Sequence, residues 1–103
     1  MLYGATWLNK YTFLASDGAA NWVPLGGRDM FCGVNVQNCW VPHYIGQAES
    51  LAVRLPTHER WKEAEMLGAT HVHTMVVPER DKRDAIEHEL IGQYQPLLNV
   101  HHR

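Results

Sequence analysis

The sequence lacks any long apolar run. None approaches the roughly 18 residues that a membrane-spanning helix needs. The opening Met1-Leu2-Tyr3-Gly4 has neither the basic flank nor the apolar stretch of a secretory leader. The expectation is a cytoplasmic protein without a membrane partner. Cysteine is scarce: Cys32 and Cys39 are the 2 present. An intracellular chain keeps such thiols reduced. A zinc site would recruit Cys32, Cys39, His43 and His58, but this spacing is looser than structural zinc motifs. Two small, half-buried strand residues are the simpler reading. Excess charge is also lacking, with a formal net charge of -2 when His is neutral. That argues against a sequence-independent coat on nucleic acid, which requires a basic surface, and leaves room for a local basic patch. Repeats and low-complexity linkers are absent, and 103 residues leave room for one core. Residues 1-103 are read as a single domain.

What is present is apolar and aromatic. Hydrophobic residues make up 46% of the chain, with 4 Trp and 4 Tyr. A core of this kind needs no covalent staples. The local clusters Arg54, Arg60, Lys62 and Arg80, Lys82, Arg83 read as solvated helix faces.

Tyr11 to Ala15 has strand spacing, and Ser16 to Pro24, with Asp17-Gly18 and Asn21, reads as loop. Gly26-Gly27 marks a turn or a close backbone approach. Met30-Phe31-Cys32 and Trp40 to Ile45 read as a hairpin, with Pro42 signalling an edge strand or a bulge and Gly46 ending the strand. Ala48 to Leu55 forms a helix stopped by Pro56. Thr57 caps a second helix from His58 to Leu67, which Gly68 terminates. His71 to Val77 is a β-branched strand. Pro78 opens a final helix whose apolar stripe is Ile86, Leu90, Ile91 and Tyr94, and Pro96 closes it. The class is α+β, a small sheet with helices beside it.

One constellation carries chemistry. Tyr44-Ile45-Gly46 is followed by Arg54 and His58, and Glu87 by Leu90-Ile91, Pro96 and Asn99. Phosphodiester cleavage needs a deprotonated nucleophile, a neutralised transition state and a stabilised leaving oxygen. A divalent ion anchored by a carboxylate can serve the last two needs. Arg54 offers a planar fork for a phosphate oxygen. Tyr44 or His58 can take the proton, although a free phenol with a pKa of about 10 needs nearby positive charge to act as a base. Glu87, at the rim of the apolar stripe, is either a metal anchor or a salt-bridge partner. The spatial expectation is that Tyr44, Arg54 and Glu87 surround one hollow.

These residues resemble the GIY-YIG nuclease superfamily. The matching segments are Tyr44-Ile45-Gly46 with Arg54, then Glu87 through Leu90-Ile91 to Pro96 and Asn99. Leu55 to Trp61 and Gly68 to Val72 are similar to a small stand-alone bacterial or phage branch. The resemblance spans residues 24-100. It implies a three-stranded antiparallel sheet flanked by helices, DNA as partner, and one Mg²⁺ or Mn²⁺ ion held by Glu87. It further implies that Tyr44 binds or activates the attacking water, Arg54 contacts phosphate, His58 acts in proton transfer and Asn99 braces the site. The first motif departs from the family's Gly-Ile-Tyr or Gly-Val-Tyr. The best match is Gly27-Arg28-Asp29, and the other register is Gly33-Val34-Asn35; neither offers the tyrosine.

Two other expectations belong to different classes. The domain can be a nucleic-acid- or protein-binding module that has lost turnover. It can also be a homodimer closed by apolar surface residues such as Trp7 and Leu8. His71 and His73 share a strand face and read as hydrogen-bonded core histidines, and Trp40 and Trp61 as core. Trp7 and Trp22 are placed over a sheet edge, and the tail His101-His102-Arg103 is polar.

Overall fold

A computed structural model describes residues 3–16 and 22–100. The interior of the expected Ser16 to Pro24 loop, including Asp17-Gly18 and Asn21, lies outside the described residues, as does the tail. The strands are β1 (Tyr3–Trp7), β2 (Tyr11–Ser16), β3 (Gly27–Val34), β4 (Trp40–Ala48) and β5 (His71–Val76). The helices are α1 (Leu51–Arg54), α2 (Trp61–Met66), α3 (Arg80–Tyr94) and α4 (Leu97–Val100), with a 3₁₀ turn over Leu55–Thr57. No helix among the described residues is long and apolar enough to cross a membrane.

The class is α+β, but the sheet has five strands, not three. Its order is β1-β2-β5-β3-β4, antiparallel throughout. The unit β5-β3-β4 joins the expected hairpin to the β-branched strand. To it β2 pairs along β5, and β1 folds back on β2. The turn between β1 and β2 passes through Leu8 and Asn9, both with positive φ. It carries no Asn-Gly or Asp-Gly signature, so the sequence does not announce this hairpin.

Other boundaries moved for local reasons. β4 runs through Gly46 to Ala48, because Asp29 and Gly27 of β3 still pair with Gly46 and Ala48. The β3–β4 register shifts at Phe31/Cys32, leaving His43 as the extra residue beside Pro42. β4 is therefore both an edge strand and bulged, which satisfies the proline. The first helix shrinks to Leu51–Arg54, since Ala48 belongs to β4 and Pro56 forces a 3₁₀ turn. α2 starts at Trp61 rather than His58, and its N-cap is Arg60, not Thr57. Gly68 stops it at φ +109°. α3 begins two residues after Pro78, with Glu79 as N-cap, and ends on Gln95 in the left-handed region before Pro96.

The sheet carries a core on each face. On one side Phe31, Leu51, Leu55, Ala64, Val72 and Leu98 pack together, joined by Trp22, Tyr44 and Trp61. On the other, Trp7, Phe13, Met30, Cys32, Ile45 and Leu90 pack under α3, with Trp40, Ile86, Ile91 and Tyr94 at the margin. Alternation along β3 explains the split. Trp7 is thus 4% exposed and interior to its own chain. It offers no apolar surface for a dimer. Its indole N–H donates to His73 Nδ1 at 3.2 Å, so His73 is a buried core histidine held neutral by desolvation, its pKa lowered to about 4. Cys32 is buried and Cys39 exposed.

Candidate functional site around the edge of β4

The site forms where β4 meets α3 and α4. A solvent-facing hollow is lined by Tyr44, Gly46, Gln47, Arg60, Glu87 and Asn99, among others. Tyr44 and Glu87 reach it from opposite faces of the sheet. Tyr44 stacks on Phe31, ring centroids 5.3 Å apart, on the α1–α2 side. Glu87 belongs to α3, which covers the other face. They meet because β4 is the edge strand, so nothing separates the two faces beyond it.

Gly46 gives the phenol its place. Residues 44 and 46 lie on the same strand face. A Cβ on Gly46 would stand 2.6 Å from the Tyr44 hydroxyl oxygen. The ring lies directly over that glycine. Burial pushes the Tyr44 pKa up, reinforced by Asp29 and Glu87, while Arg54 and Arg60 pull it down. The phenol is therefore protonated at neutral pH and serves as a hydrogen-bond donor and acceptor.

Asn99 closes the edge. Its Nδ2 donates to the Ile45 carbonyl at 2.7 Å, and the Ile45 N–H donates to its Oδ1 at 2.8 Å. One side chain thus replaces a strand neighbour.

Arg54 stands apart. It lines an adjoining groove with Ser50 and Val53, and Gln47 alone among the described residues borders both depressions. Its side chain is 44% exposed, and its Nη2 lies 3.8 Å from Glu59 Oε1. The three-way meeting expected of Tyr44, Arg54 and Glu87 is thus a hollow shared by two of them, with the guanidinium next door. Arg60, read from the sequence as a solvated residue, lines the hollow itself. It donates to the Leu98 carbonyl and pairs with Glu63 at 2.6 Å. Arg83 is not solvated either. It is buried and donates to the Val77 and Pro78 carbonyls and to Gln47.

His58 is buried beneath the phenol, with ring centroids 5.1 Å apart. Its Nδ1 accepts the Arg60 backbone N–H at 3.1 Å, which places the proton of the neutral ring on Nε2. That nitrogen faces Asp29 Oδ2 at 3.7 Å, beyond hydrogen-bond range. Burial first, then Arg54 and Arg60, lowers the His58 pKa to about 4. Asp29 is completely buried and neither carboxyl oxygen has a hydrogen-bond partner among the described residues. Burial raises its pKa to about 7 against the pull of Arg28 and Arg54. Burial thus disfavours the charged form of both groups, keeping His58 neutral at pH 7 and Asp29 near the midpoint of its titration.

The other half of the first motif is Arg28, also fully buried. Alternation points it to the α3 face, where its Nη2 meets Glu87 Oε1 at 3.1 Å. The salt-bridge reading of Glu87 is thus met at one of its two oxygens. Oε1 is in a salt bridge. Oε2 has only a 3.5 Å approach from Gln47 Nε2, and the side chain is 31% exposed. A carboxylate oxygen held only by that long contact in a solvent-facing hollow suits Mg²⁺, which keeps most of its water and takes one or two carboxylates. Among the described residues no group of three or more His, Cys, Asp and Glu converges, in keeping with the preference against a zinc site. Asp84, one turn earlier, accepts from the same Gln47 amide at 2.7 Å, a neighbour the sequence reading missed.

No model of a known protein family matches the sequence. No curated protein sequence matches it either. Solved structures do. The magnesium-bound GIY-YIG N-terminal endonuclease domain of UvrC from Thermotoga maritima is similar at 28% identity and TM-score 0.58, covering 73% of this chain and 83% of that one. An asparagine-to-alanine mutant of that domain, bound to its catalytic divalent cation, matches at 28% identity and TM-score 0.58 over 73% and 82%. A tyrosine-to-phenylalanine mutant, also cation-bound, matches at 29% and 0.56 over 73% and 82%. The topology and these likenesses together show that the chain has a GIY-YIG-like fold.

Proposed function

We propose that the chain is a divalent-metal-dependent endonuclease hydrolysing DNA phosphodiester bonds. The observation carrying this reading is the shared hollow of Tyr44, Glu87 and Asn99 in a fold similar to a cation-bound endonuclease domain. Glu87 Oε2 would hold one Mg²⁺ or Mn²⁺ ion. When bound, such an ion supplies charge neutralisation at the phosphate and acidifies water.

The chain's own groups do the rest. The protonated Tyr44 orients the attacking water through its hydroxyl. Arg60 supplies positive charge inside the hollow. Arg54, loosely held by Glu59, swings to a phosphate oxygen from the adjoining groove. His58 is a positioning residue here: its one free lone pair is spent on the Arg60 N–H, and its ring supports the phenol. Asn99 keeps the edge strand, and with it Tyr44, in place.

Plasmid nicking with Mg²⁺ and Mn²⁺ tests this. Activity is expected in the wild type and absent from folded Tyr44→Phe and Glu87→Ala. Equal activity of Glu87→Ala and wild type ends the assignment.

A second reading, a DNA-binding module without turnover, draws on Arg28 and Asp29 in place of the motif's apolar residue and tyrosine. It expects salt-dependent DNA binding and no cleavage with any divalent ion. Cleavage gained by Asp29→Tyr would show that the rest of the site is intact.

A further inference from the structure

The half-buried ion pair on Glu87 bears on the metal directly. Arg28 has no exposed surface, so it cannot touch substrate. Of its guanidinium nitrogens, Nη2 alone has a hydrogen-bond partner among the described residues, and that partner is Glu87. A buried guanidinium stays charged. Its positive charge is therefore spent mainly on this carboxylate, with Asp29 and Tyr44 as lesser contributors. The other oxygen is approached by Gln47 Nε2, whose orientation is set by Arg83 Nε donating to Gln47 Oε1 at 3.0 Å.

We propose that Arg28 cancels the charge of Glu87 and so holds the divalent-cation affinity of the hollow low. The proposal rests on the reading of Glu87 as the ion's carboxylate. The physics is Coulombic. A cation arriving at Oε2 meets a carboxylate already neutralised from behind, and it feels the guanidinium through protein, where screening is weak. Outer-shell partners of a metal ligand shift affinity by roughly 10–100-fold. A neutral partner that donates a hydrogen bond orients the ligand without placing a charge against the ion. A full positive charge with two idle donors opposes the ion, and the magnitude of the charge decides the sign.

The test uses Mn²⁺ alone, titrated into the full chain and followed by the electron paramagnetic resonance signal of the free ion. Thermal unfolding confirms the fold of each variant. R28M and R28Q remove the charge, and each is expected to bind Mn²⁺ at least about tenfold more tightly than wild type. R28K keeps the charge and is expected to stay within roughly threefold of wild type. The gain should vanish when R28M is combined with E87Q. Unchanged or weaker binding in R28M and R28Q overturns the proposal, as does a gain that survives E87Q.

Should the Arg28 variants fail to fold, the wild type decides. A wild-type Mn²⁺ dissociation constant on the order of 1 mM or weaker is then expected, and one on the order of 10 μM or tighter overturns the proposal. Nicking is scored separately. Cleavage without an affinity gain keeps the endonuclease reading and sinks this proposal. An affinity gain in protein that never nicks does the reverse.

Discussion

Asn99 and Ile45 exchange two hydrogen bonds, 2.7 and 2.8 Å long, through which a single side chain acts as the missing neighbour of edge strand β4. Asn99→Ala leaves both Ile45 backbone groups to water or to nothing. Stability is expected to fall by about 1–3 kcal/mol. Urea unfolding measures the loss, and the Ile45 amide should exchange faster than in the wild type. An unchanged urea midpoint would mean that the edge does not depend on this residue.

Gly46 and Tyr44 make a steric pair. A methyl group at position 46 cannot coexist with the phenol over it, since the contact would be 2.6 Å. Gly46→Ala is therefore expected to displace the ring. The stability cost is about 1–3 kcal/mol. The cost to nicking is larger, about 10²-fold, because misplacing a reacting group by an ångström is that expensive. Retained nicking in a folded Gly46→Ala protein would separate the phenol from the chemistry.

Gly27 is packed more tightly still. A Cβ there would overlap the Met75 carbonyl oxygen, a backbone atom, and stand 2.9 Å from Leu51 Cδ1. Neither β5 nor the core can yield easily. Gly27→Ala is expected to cost more than about 2 kcal/mol. Thermal unfolding reads it, and a melting temperature equal to wild type refutes the close approach.

The buried acid and histidines set a pH dependence with opposing signs. Asp29 has its folded pKa raised to about 7 from 3.8. Its contribution is full below the unfolded value and is lost as pH rises toward 7. His58 and His73 have folded pKa values lowered to about 4 from 6.5. Their contribution is full above 6.5 and is lost as pH falls to 4. Between these limits two histidines outweigh one carboxyl, and net stability rises with pH. The charged groups acting on Asp29 are Arg28 on its own strand, Arg54 on α1 and Glu87 on α3, with His58 alongside. Asp29→Asn removes the falling contribution. Its stability should climb more steeply over this range and exceed wild type at pH 8 by on the order of 1–3 kcal/mol. Parallel urea-midpoint profiles would contradict the buried, ionising Asp29.

Much of the architecture was legible because its signals are local. The β-branched run of β5, Pro42 on β4, the Gly68 stop and the apolar stripe of α3 each reflect backbone preference or periodicity. The β1–β2 hairpin was not, because Leu8 and Asn9 adopt positive φ without a glycine to announce it. The burial of Arg28 and Asp29 was not legible either. Two adjacent charges ordinarily mean a turn or a solvated strand, yet both are fully buried in β3. Only neighbours distant in the chain reveal where each charge is met.

Chain order alone determined the helix stops and strand periods, the aromatic content of the core, and the spacing of Tyr44, Arg54, His58, Glu87 and Asn99. These follow from backbone sterics and from side-chain repeats of 2 and 3.6 residues. The folded arrangement decided that Tyr44 and Glu87 meet around a sheet edge, that Arg54 sits one groove away and that Arg28 holds Glu87. Those outcomes depend on which strand is left at the edge and on which charge is buried against which. Both are set by packing between segments about 40 to 60 residues apart, as the separations of Gln47 and Arg28 from Glu87 show.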